Sequence, residues 1–191
     1  MGKSKVYFTK NISEENLIKI YDALDRNLKG KVAVKISTGE IGGHNFLDPN
    51  LIKGLVQKLN GTIVECNTAY AGKEMNSSDH WKTIKAHEFT KIAPCDIMDK
   101  EGEIEIPVNG GEHLQNKNIV GSHIKNYDSM LMLSHFKGHA MCGFGGTLKN
   151  ISIGVASSNG KAWIHSVGRT KDAKEMWSLI DDRDGFLESV A

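Results

Sequence analysis

The sequence lacks the cysteine patterns that mark several classes of protein. Only three cysteines, Cys66, Cys95 and Cys142, occur among its 191 residues. Their odd number and wide spacing argue against the disulfide framework of a secreted protein. Zinc and iron–sulfur sites use cysteines that lie roughly two to four residues apart, and none of these three lie so close. The pattern is typical of thiols in a reducing compartment, so we expect a cytoplasmic protein.

Long apolar runs and a strong net charge are also absent. No apolar run approaches the roughly 20 residues needed to cross a bilayer. The amino-terminal MGKSKVYFTK lacks the apolar region of a signal peptide. The formal net charge is +1, so the chain has no general basic field for nucleic acid. We therefore expect no membrane and no nucleic acid among its partners.

Strand and helix patterns alternate three times before residue 90. Apolar residues at helical spacing follow each β-rich run, and capping residues such as Ser13 and Asp48 mark where helices begin. This alternation predicts a single α/β domain over residues 1–191, with three layers, α/β/α, and a mainly parallel sheet. The predicted strands of the sheet are residues 5–9, 31–37, 62–66 and 129–133.

Later parts of the chain depart from this alternation. Residues 95–115 alternate apolar and polar positions between glycine breaks, which predicts a β-hairpin excursion from the sheet. The remaining predictions are a helix within residues 145–154, a strand or loop at residues 161–167, and a largely helical segment at residues 170–190.

The last residues carry an apolar helical pattern without a stop signal. Phe186, Leu187 and Val190 share one side of the predicted helix, and no capping glycine follows them. We therefore expect an uncovered apolar patch at these residues. We also expect that the chain is the N-terminal part of a longer parent protein.

Residues 134–166, SHFKGHAMCGFGGTLKNISIGVASSNGKAWIHS, concentrate the polar chemistry of the chain. They follow an apolar run that predicts a buried strand, and ligands of α/β folds gather where parallel strands end. Glycines let backbone N–H groups approach an anion, and lysines supply positive charge. The segment matches neither the Walker A nor the dinucleotide motif, and a tight turn without a ligand is the other interpretation. The predicted anion-binding residues here are Gly143, Gly145, Gly146, Lys149 and Lys137.

Two further residues are second candidates for the same cleft. His44 lies in the glycine-rich TGEIGGHN after the predicted strand 31–37, and Lys73 follows the strand 62–66. Carboxyl ends of neighbouring parallel strands meet at one edge of a sheet, so these side chains are expected near the main segment. A turn residue and a solvated lysine are the alternatives.

Three histidines form a candidate metal site. His135 and His139 are four residues apart, which places them on one face if the segment is helical. His165 is the candidate for the third ligand, because a pair without a third ligand is a weak metal site. The alternative is that these histidines cap turns or bind backbone carbonyls.

Three stretches carry a resemblance to a known family: VAVKISTGE, NTAYAGK and LSHFKGHAMCGFGGTLKNISIGVASSNGKAWIHS. The chain resembles, over essentially its whole length, the domain of unknown function 362 family, whose members are often labelled iron–sulfur-centre proteins. Many relatives carry cysteines further downstream, some in a ferredoxin-like module. The resemblance thus implies an iron–sulfur cluster only in a downstream part of the parent protein, and none in this chain.

The order of a histidine, a glycine-rich turn with a lysine and a later histidine also resembles the nickel-pincer lactate racemase family. In that family a lysine holds the pincer cofactor, and histidines ligate nickel or move the substrate proton. The resemblance implies these roles for Lys149, for His135 or His139, and for His165.

Two functional hypotheses follow. The first is a cleft that binds a small anionic ligand or cofactor, with or without a metal ion, in an enzyme or a binding protein. The second is a non-catalytic module that docks a downstream domain or an iron–sulfur or electron-transfer partner. Convergence of the candidate residues in one concave pocket favours the first hypothesis, and their scatter over the surface favours the second.

Overall fold

The computed structural model describes residues 3–70, 76–114 and 116–190, which are built around one parallel sheet. The strands are β1 (Val32–Lys35), β2 (Thr62–Glu65), β3 (Cys95–Ile97), β4 (Glu103–Val108), β5 (Asn116–Gly121), β6 (Ser129–Met132), β7 (Lys137–His139) and β8 (Gly143–Gly145). The α-helices are α1 (Glu14–Ala23), α2 (Pro49–Lys58), α3 (Ser77–Ala86), α4 (Thr147–Ile151), α5 (Ser158–His165) and α6 (Arg183–Val190).

The parallel sheet has the strand order β3-β2-β1-β6. Ala33 in β1 is in register with Thr62 of β2 on one side and with Met130 of β6 on the other. Strands β4 and β5 form an antiparallel pair, and β7 and β8 form a short antiparallel ribbon. The α/β fold with a mainly parallel sheet, predicted from the sequence, is confirmed.

One face of the sheet packs against helices. Val32, Val34 and Ile63 belong to a buried cluster with Ile52 of α2 and Ile84 of α3. Alternate residues of a strand point to opposite faces, so every second strand residue joins this cluster. Ser13 and Asp48 cap α1 and α2 through side-chain hydrogen bonds, as the sequence predicts.

The antiparallel pair covers the other face. Ala33 and Val64 pack there with Val120 of β5 and with Val155. Helix α5 packs in turn on β5, and Gly160 is the point of closest approach. A Cβ atom on Gly160 would lie 1.9 Å from the carbonyl oxygen of Ile119, so the contact requires glycine.

The predicted N-terminal strand is wrong. Residues 5–9 form no strand, and the side chains of Val6 and Phe8 are 88% and 82% exposed. These residues favour extended backbone, but a strand needs a neighbouring strand and a surface on which to pack.

The predicted excursion at residues 95–115 is displaced along the chain. Cys95–Ile97 pairs with β2 inside the parallel sheet, and the antiparallel pair is formed by β4 and β5. The predicted strand or loop at 161–167 is also wrong, because Ser157 caps a helix there by accepting a hydrogen bond from the N–H of Gly160.

The segment that carries the predicted metal and anion sites is less helical than the sequence predicts. Residues 137–145 form the β7–β8 ribbon, so His135 and His139 do not lie on a helix face. The following helix is only Thr147–Ile151, shorter than the predicted range 145–154. Residues 170–190 are helical in part, with a 3₁₀ turn at Met176–Leu179 before α6.

The predicted apolar patch at the last residues is wrong. Phe186 and Val190 are only 1% and 6% exposed, and they pack with Leu114, Ile153 and Ile164. These two side chains are buried against other described residues, so they form no exposed apolar patch. The expectation of a longer parent protein stays a prediction.

No helix within residues 3–70, 76–114 and 116–190 combines the length and apolarity that a bilayer crossing requires. This finding agrees with the absence of a long apolar run in the sequence.

The contact between α5 and β5 gives a stability prediction. We expect Gly160→Ala to lower the free energy of unfolding by about 2–3 kcal/mol, because the added methyl group collides with the backbone of β5. Gly138→Ala is the matched control, since nothing lies within 4 Å of a Cβ atom there. Urea unfolding followed by circular dichroism measures both. Equal stability of the two variants would contradict the close approach of α5.

Candidate functional site

A cleft of about 410 Å³ opens where β1, β2 and β6 end. This is the edge of a parallel sheet at which α/β proteins bind their ligands. The strands themselves, the loops that follow them, the β7–β8 ribbon and helices α4 and α5 all contribute side chains. The polar and glycine residues that line the cleft include Lys35, Glu40, Glu65, Ser134, His135, Lys137, Gly145, Gly146, Lys149, Asn150 and Lys161.

A buried ion pair lies at the base of the cleft. The Nζ atom of Lys35 is 2.5 Å from Oε1 of Glu65, and Lys35 is only 1% exposed. Lys35 also donates to the carbonyl of Ile36, at 2.6 Å. The second carboxylate oxygen of Glu65 accepts the backbone N–H of Thr38, at 3.0 Å. The pair therefore links β1 to β2 and fixes the start of the loop after β1.

Asn150 connects this ion pair to α4. Its side-chain oxygen accepts from Lys35 Nζ at 2.9 Å, and its amide nitrogen donates to the Lys35 carbonyl at 3.1 Å and to Ser134 Oγ at 3.0 Å. One side chain thus satisfies polar groups of both β1 and the segment after β6. This contact positions the short helix that carries Lys149 at the cleft.

A second buried lysine has no carboxylate in contact. Lys161 of α5 is 6% exposed, and its Nζ donates to the carbonyls of Asn67 and Ala156, both at 2.7 Å. Burial lowers the pKa of Lys161, and the nearby Cys66 and Asp99 side chains oppose that shift in part. No salt bridge forms at Lys161 within the described residues.

Lys149 is paired with a histidine rather than with an acid. Its Nζ lies 2.8 Å from Nε2 of His139, while Nδ1 of His139 accepts the N–H groups of Met141 and Cys142 at 3.3 and 3.2 Å. An imidazole that accepts at Nδ1 carries its proton on Nε2, so the contact with Lys149 is a hydrogen bond when Lys149 is an uncharged amine. Burial lowers the pKa of Lys149, the nearby Cys142 side chain opposes that shift in part, and the charge of Lys137 adds to it.

His135 is the histidine of the predicted metal trio that lines the cleft. Its Nδ1 atom is buried and has no hydrogen-bond partner in the described part of the chain. An unsatisfied buried nitrogen costs free energy, so it marks a position where a ligand group is able to bind.

His165 lies behind the cleft and is fully satisfied. Its Nδ1 donates to the Lys161 carbonyl at 2.6 Å, and its Nε2 accepts from the hydroxyl of Tyr70 at 2.9 Å. The ring also packs against Phe186, with centroids 5.1 Å apart. Burial lowers the pKa of His165, which keeps the ring uncharged. Its visible role is to hold the turn of α5 that carries Lys161.

The described residues hold no group of three His, Cys, Asp or Glu side chains arranged to bind a metal ion. Both ring nitrogens of His139 and of His165 already contact protein groups. Metal binding by His135, His139 and His165 stays a prediction.

The other predicted residues separate into three groups. Lys137, Gly145 and Gly146 line the cleft with Lys149. Gly143 lies at the turn of the ribbon, where its φ of 76° favours glycine, and His44 lines a separate depression beside α2. Lys73 lies outside the described residues.

Sequence reasoning missed Lys35, Glu65, Asn150 and Lys161. A signal existed for the first two, because VAVKIS and TIVEC each place one charged residue inside an otherwise buried strand. Buried charges need partners, and two lone charges of opposite sign on neighbouring strands predict an ion pair. Asn150 and Lys161 carried no such signal, since both depend on where α4 and α5 dock.

Comparison with known protein families gives one match that covers residues 32–190, the greater part of the chain. The chain belongs to the family described as Domain of unknown function (DUF362). The resemblance seen in the sequence is thereby confirmed. Among curated protein sequences no match was found.

One solved structure similar to this DUF362 protein is the lactate racemase apoprotein from Thermoanaerobacterium thermosaccharolyticum. The TM-score is 0.55 and the sequence identity is 16%. The match covers 94% of this chain and 47% of that chain, so the DUF362 chain spans about half the length of the racemase. At this identity the likeness shows a shared fold.

The environment of His165 predicts how stability varies with pH. Its lowered pKa means that the unfolded chain takes up a proton first, so stability falls as pH drops below about 6.5 and levels off below the folded pKa. We expect His165→Asn, which keeps a donor for the Lys161 carbonyl, to be less stable by about 1–2 kcal/mol at pH 7.5. It should also lose less stability than the native chain between pH 7.5 and 5.5.

Urea unfolding at both pH values measures this difference. An identical pH dependence in the native chain and in His165→Asn would show that the ring is not held uncharged by burial. His44→Asn is a control, because His44 is exposed.

Proposed function

We propose that this DUF362 protein binds a small anionic ligand in the cleft at the carboxyl edge of its parallel sheet. The observation that carries the proposal is that four lysines line one cleft, and only Lys35 has a carboxylate partner among the described residues. Lys137, Lys149 and Lys161 are left for an anion from outside the chain. Charge-assisted hydrogen bonds in a partly desolvated cleft are stronger than those in water.

The convergence of predicted residues supports a binding site over a docking module. His135, Lys137, Gly145, Gly146 and Lys149 all line the same concave surface. A module that only docks a partner would have no need to gather a histidine and unpaired lysines in a recess. The cleft volume is also in the range of small-molecule sites, which begin at about 300 Å³.

The lysines supply more of the expected affinity than the helix end does. Helix α4 has only five residues, so its dipole is weak and its free N–H groups contribute little to anion binding. A Cβ atom on Gly145 or Gly146 would make ordinary contact, at 3.6 Å with Lys149 and at 3.5 Å with Phe136, so space alone does not require glycine at either position.

A second candidate function is catalysis of the lactate racemase type. The shared fold and the contact between Lys149 and His139 favour it. Racemisation of a 2-hydroxy acid moves the hydrogen of the neighbouring carbon as a hydride, so it needs a bound hydride acceptor as well as a base for the hydroxyl proton. A pincer cofactor at Lys149, as the racemase resemblance implies, would supply the acceptor, and the unpartnered Nδ1 of His135 would take the proton. Incubation of the cofactor-loaded chain with L-lactate followed by chiral chromatography tests this candidate. D-lactate should form with the loaded native chain and not with loaded His135→Ala, and its absence from the loaded native chain would reject the candidate.

Lys149→Met tests the binding proposal directly. Isothermal titration calorimetry with phosphate, lactate, pyruvate and malonate should find at least one anion that binds the native chain. We expect the substitution to weaken that binding by about 1–3 kcal/mol, because it removes from the cleft an amino group that binds the anion in its protonated form.

Lys53→Met is the matched control, since Lys53 is an exposed residue of α2 remote from the cleft lining. The Lys53→Met variant should bind the anion with the same affinity as the native chain. Equal losses in Lys53→Met and Lys149→Met would indicate a general charge effect and contradict binding in the cleft.

A further inference from the structure

We propose that the ligand of this cleft is a small dianion, such as a short dicarboxylate, with one charged group at Lys161 and the other at Lys149. The inference rests on the proposed anion-binding function and specifies its ligand class. It depends on where the two lysines lie relative to the strands, on their contacts, and on the charge of the cleft as a whole.

The two lysines approach from different sides of β1. Lys161 is anchored to the carbonyl of Asn67, just after β2, whereas Lys149 belongs to α4 and follows β6 and the ribbon. Strands β2 and β6 are the two neighbours of β1, so the Lys35–Glu65 pair lies between the two lysines. The cleft therefore has two cationic ends rather than one basic cluster.

The spacing of the strands sets the size of the ligand. Neighbouring strands lie about 4.8 Å apart, so the sides after β2 and β6 are about 10 Å apart. The contacts of both lysines with the ligand must fit within this span, so the ligand is a short one. Malonate, succinate and glutarate are short dicarboxylates of increasing length, and their affinities identify the length that fits.

The contacts of Lys161 leave one position of its amino group for the ligand. An ammonium group has three N–H donors, and the carbonyls of Asn67 and Ala156 take two of them. Lys161 also lines the cleft. Lys35 is also buried, but its charge is already neutralised by Glu65 at 2.5 Å, so it does not need the ligand as a partner.

The charge of the lining fits a dianion. Four lysines and two acids, Glu40 and Glu65, line the cleft. When every lysine is protonated, the lining carries a net charge of +2, and Lys137, Lys149 and Lys161 have no carboxylate partner among the described residues. A ligand with two negative charges neutralises this net charge, and a monoanion leaves a net charge of +1 in a partly buried site.

This arrangement couples ligand binding to proton uptake. Burial lowers the pKa of both Lys161 and Lys149 in the free protein. The charged or titratable groups that face Lys161 are Cys66, Asp99, Glu65 and Lys35, and those that face Lys149 are His139, Cys142 and Lys137. A carboxylate at each lysine favours the ammonium form and raises both pKa values, so binding takes up protons at any pH where the free lysines are not fully protonated.

Calorimetry with matched acids tests the inference. The full chain is titrated with malonate, succinate and glutarate and with acetate, propionate and butyrate, in two buffers of different ionisation enthalpy. We expect the best dicarboxylate to bind at least tenfold more tightly than its monocarboxylate counterpart. Its binding should also show proton uptake, seen as a heat that depends on the buffer.

Two variants assign the ends of the ligand. Lys161→Met and Lys149→Met should each reduce the preference for the dicarboxylate to less than threefold and diminish the proton uptake, with Lys53→Met as the unchanged control. Lys161→Met leaves the carbonyls of Asn67 and Ala156 without their donor, so circular dichroism checks the fold of each variant. The Lys149 variant provides an independent test if Lys161→Met does not fold.

The outcomes separate this inference from the proposed function. Monocarboxylates that bind as tightly as dicarboxylates would overturn the dianion inference and leave anion binding intact. A dicarboxylate preference that survives in Lys161→Met would overturn the role of Lys161. No binding of any carboxylate or of phosphate to the native chain would overturn the proposed function itself.

Discussion

The cleft depends on one buried interaction, the ion pair between Lys35 and Glu65. Each residue comes from the carboxyl end of a central strand, and burial of either charge alone would cost several kcal/mol. The pair is stabilised by hydrogen bonds that also fix its surroundings: Thr38 N–H and Cys66 N–H donate to Glu65, and Asn150 accepts from Lys35. The loops after β1 and β2 and the helix after the ribbon are therefore tied to one pair of charges. Loss of either charge would disturb all three segments at once.

Glu65 neutralises Lys35, so the other cleft lysines differ from it in having no carboxylate partner among the described residues. Lys161 is buried almost as completely as Lys35, but its contacts are backbone carbonyls. Lys149 contacts an uncharged histidine. Burial lowers the pKa of both lysines and so favours their uncharged form in the free protein. Under the proposed function, an anionic ligand favours their charged form and is selected by it.

The sequence predicts the parallel sheet and its helices better than it predicts the residues of the cleft. Alternating strands and helices predict the parallel sheet, because apolar periodicity is local, and Lys137 and Lys149 were found because the glycine-rich segment follows a strand. Lys35 and Glu65 were detectable as single charges within buried strands. Lys161 was assigned to a strand or loop, but it lies in α5, which Ser157 caps while its own N–H donates to the Ile119 carbonyl of β5. Its burial depends on packing between distant segments, which periodicity does not reveal.

The central claim is that buried lysines without carboxylate partners form the anion site. Nuclear magnetic resonance of lysine side chains labelled with ¹³C measures this most directly, with Lys149→Met and Lys161→Met assigning the two signals. The account predicts that both lysines titrate below the ordinary value of about 10.4 in the free protein and that added malonate raises both pKa values. Titration of both at about 10.4, unchanged by malonate, would contradict it.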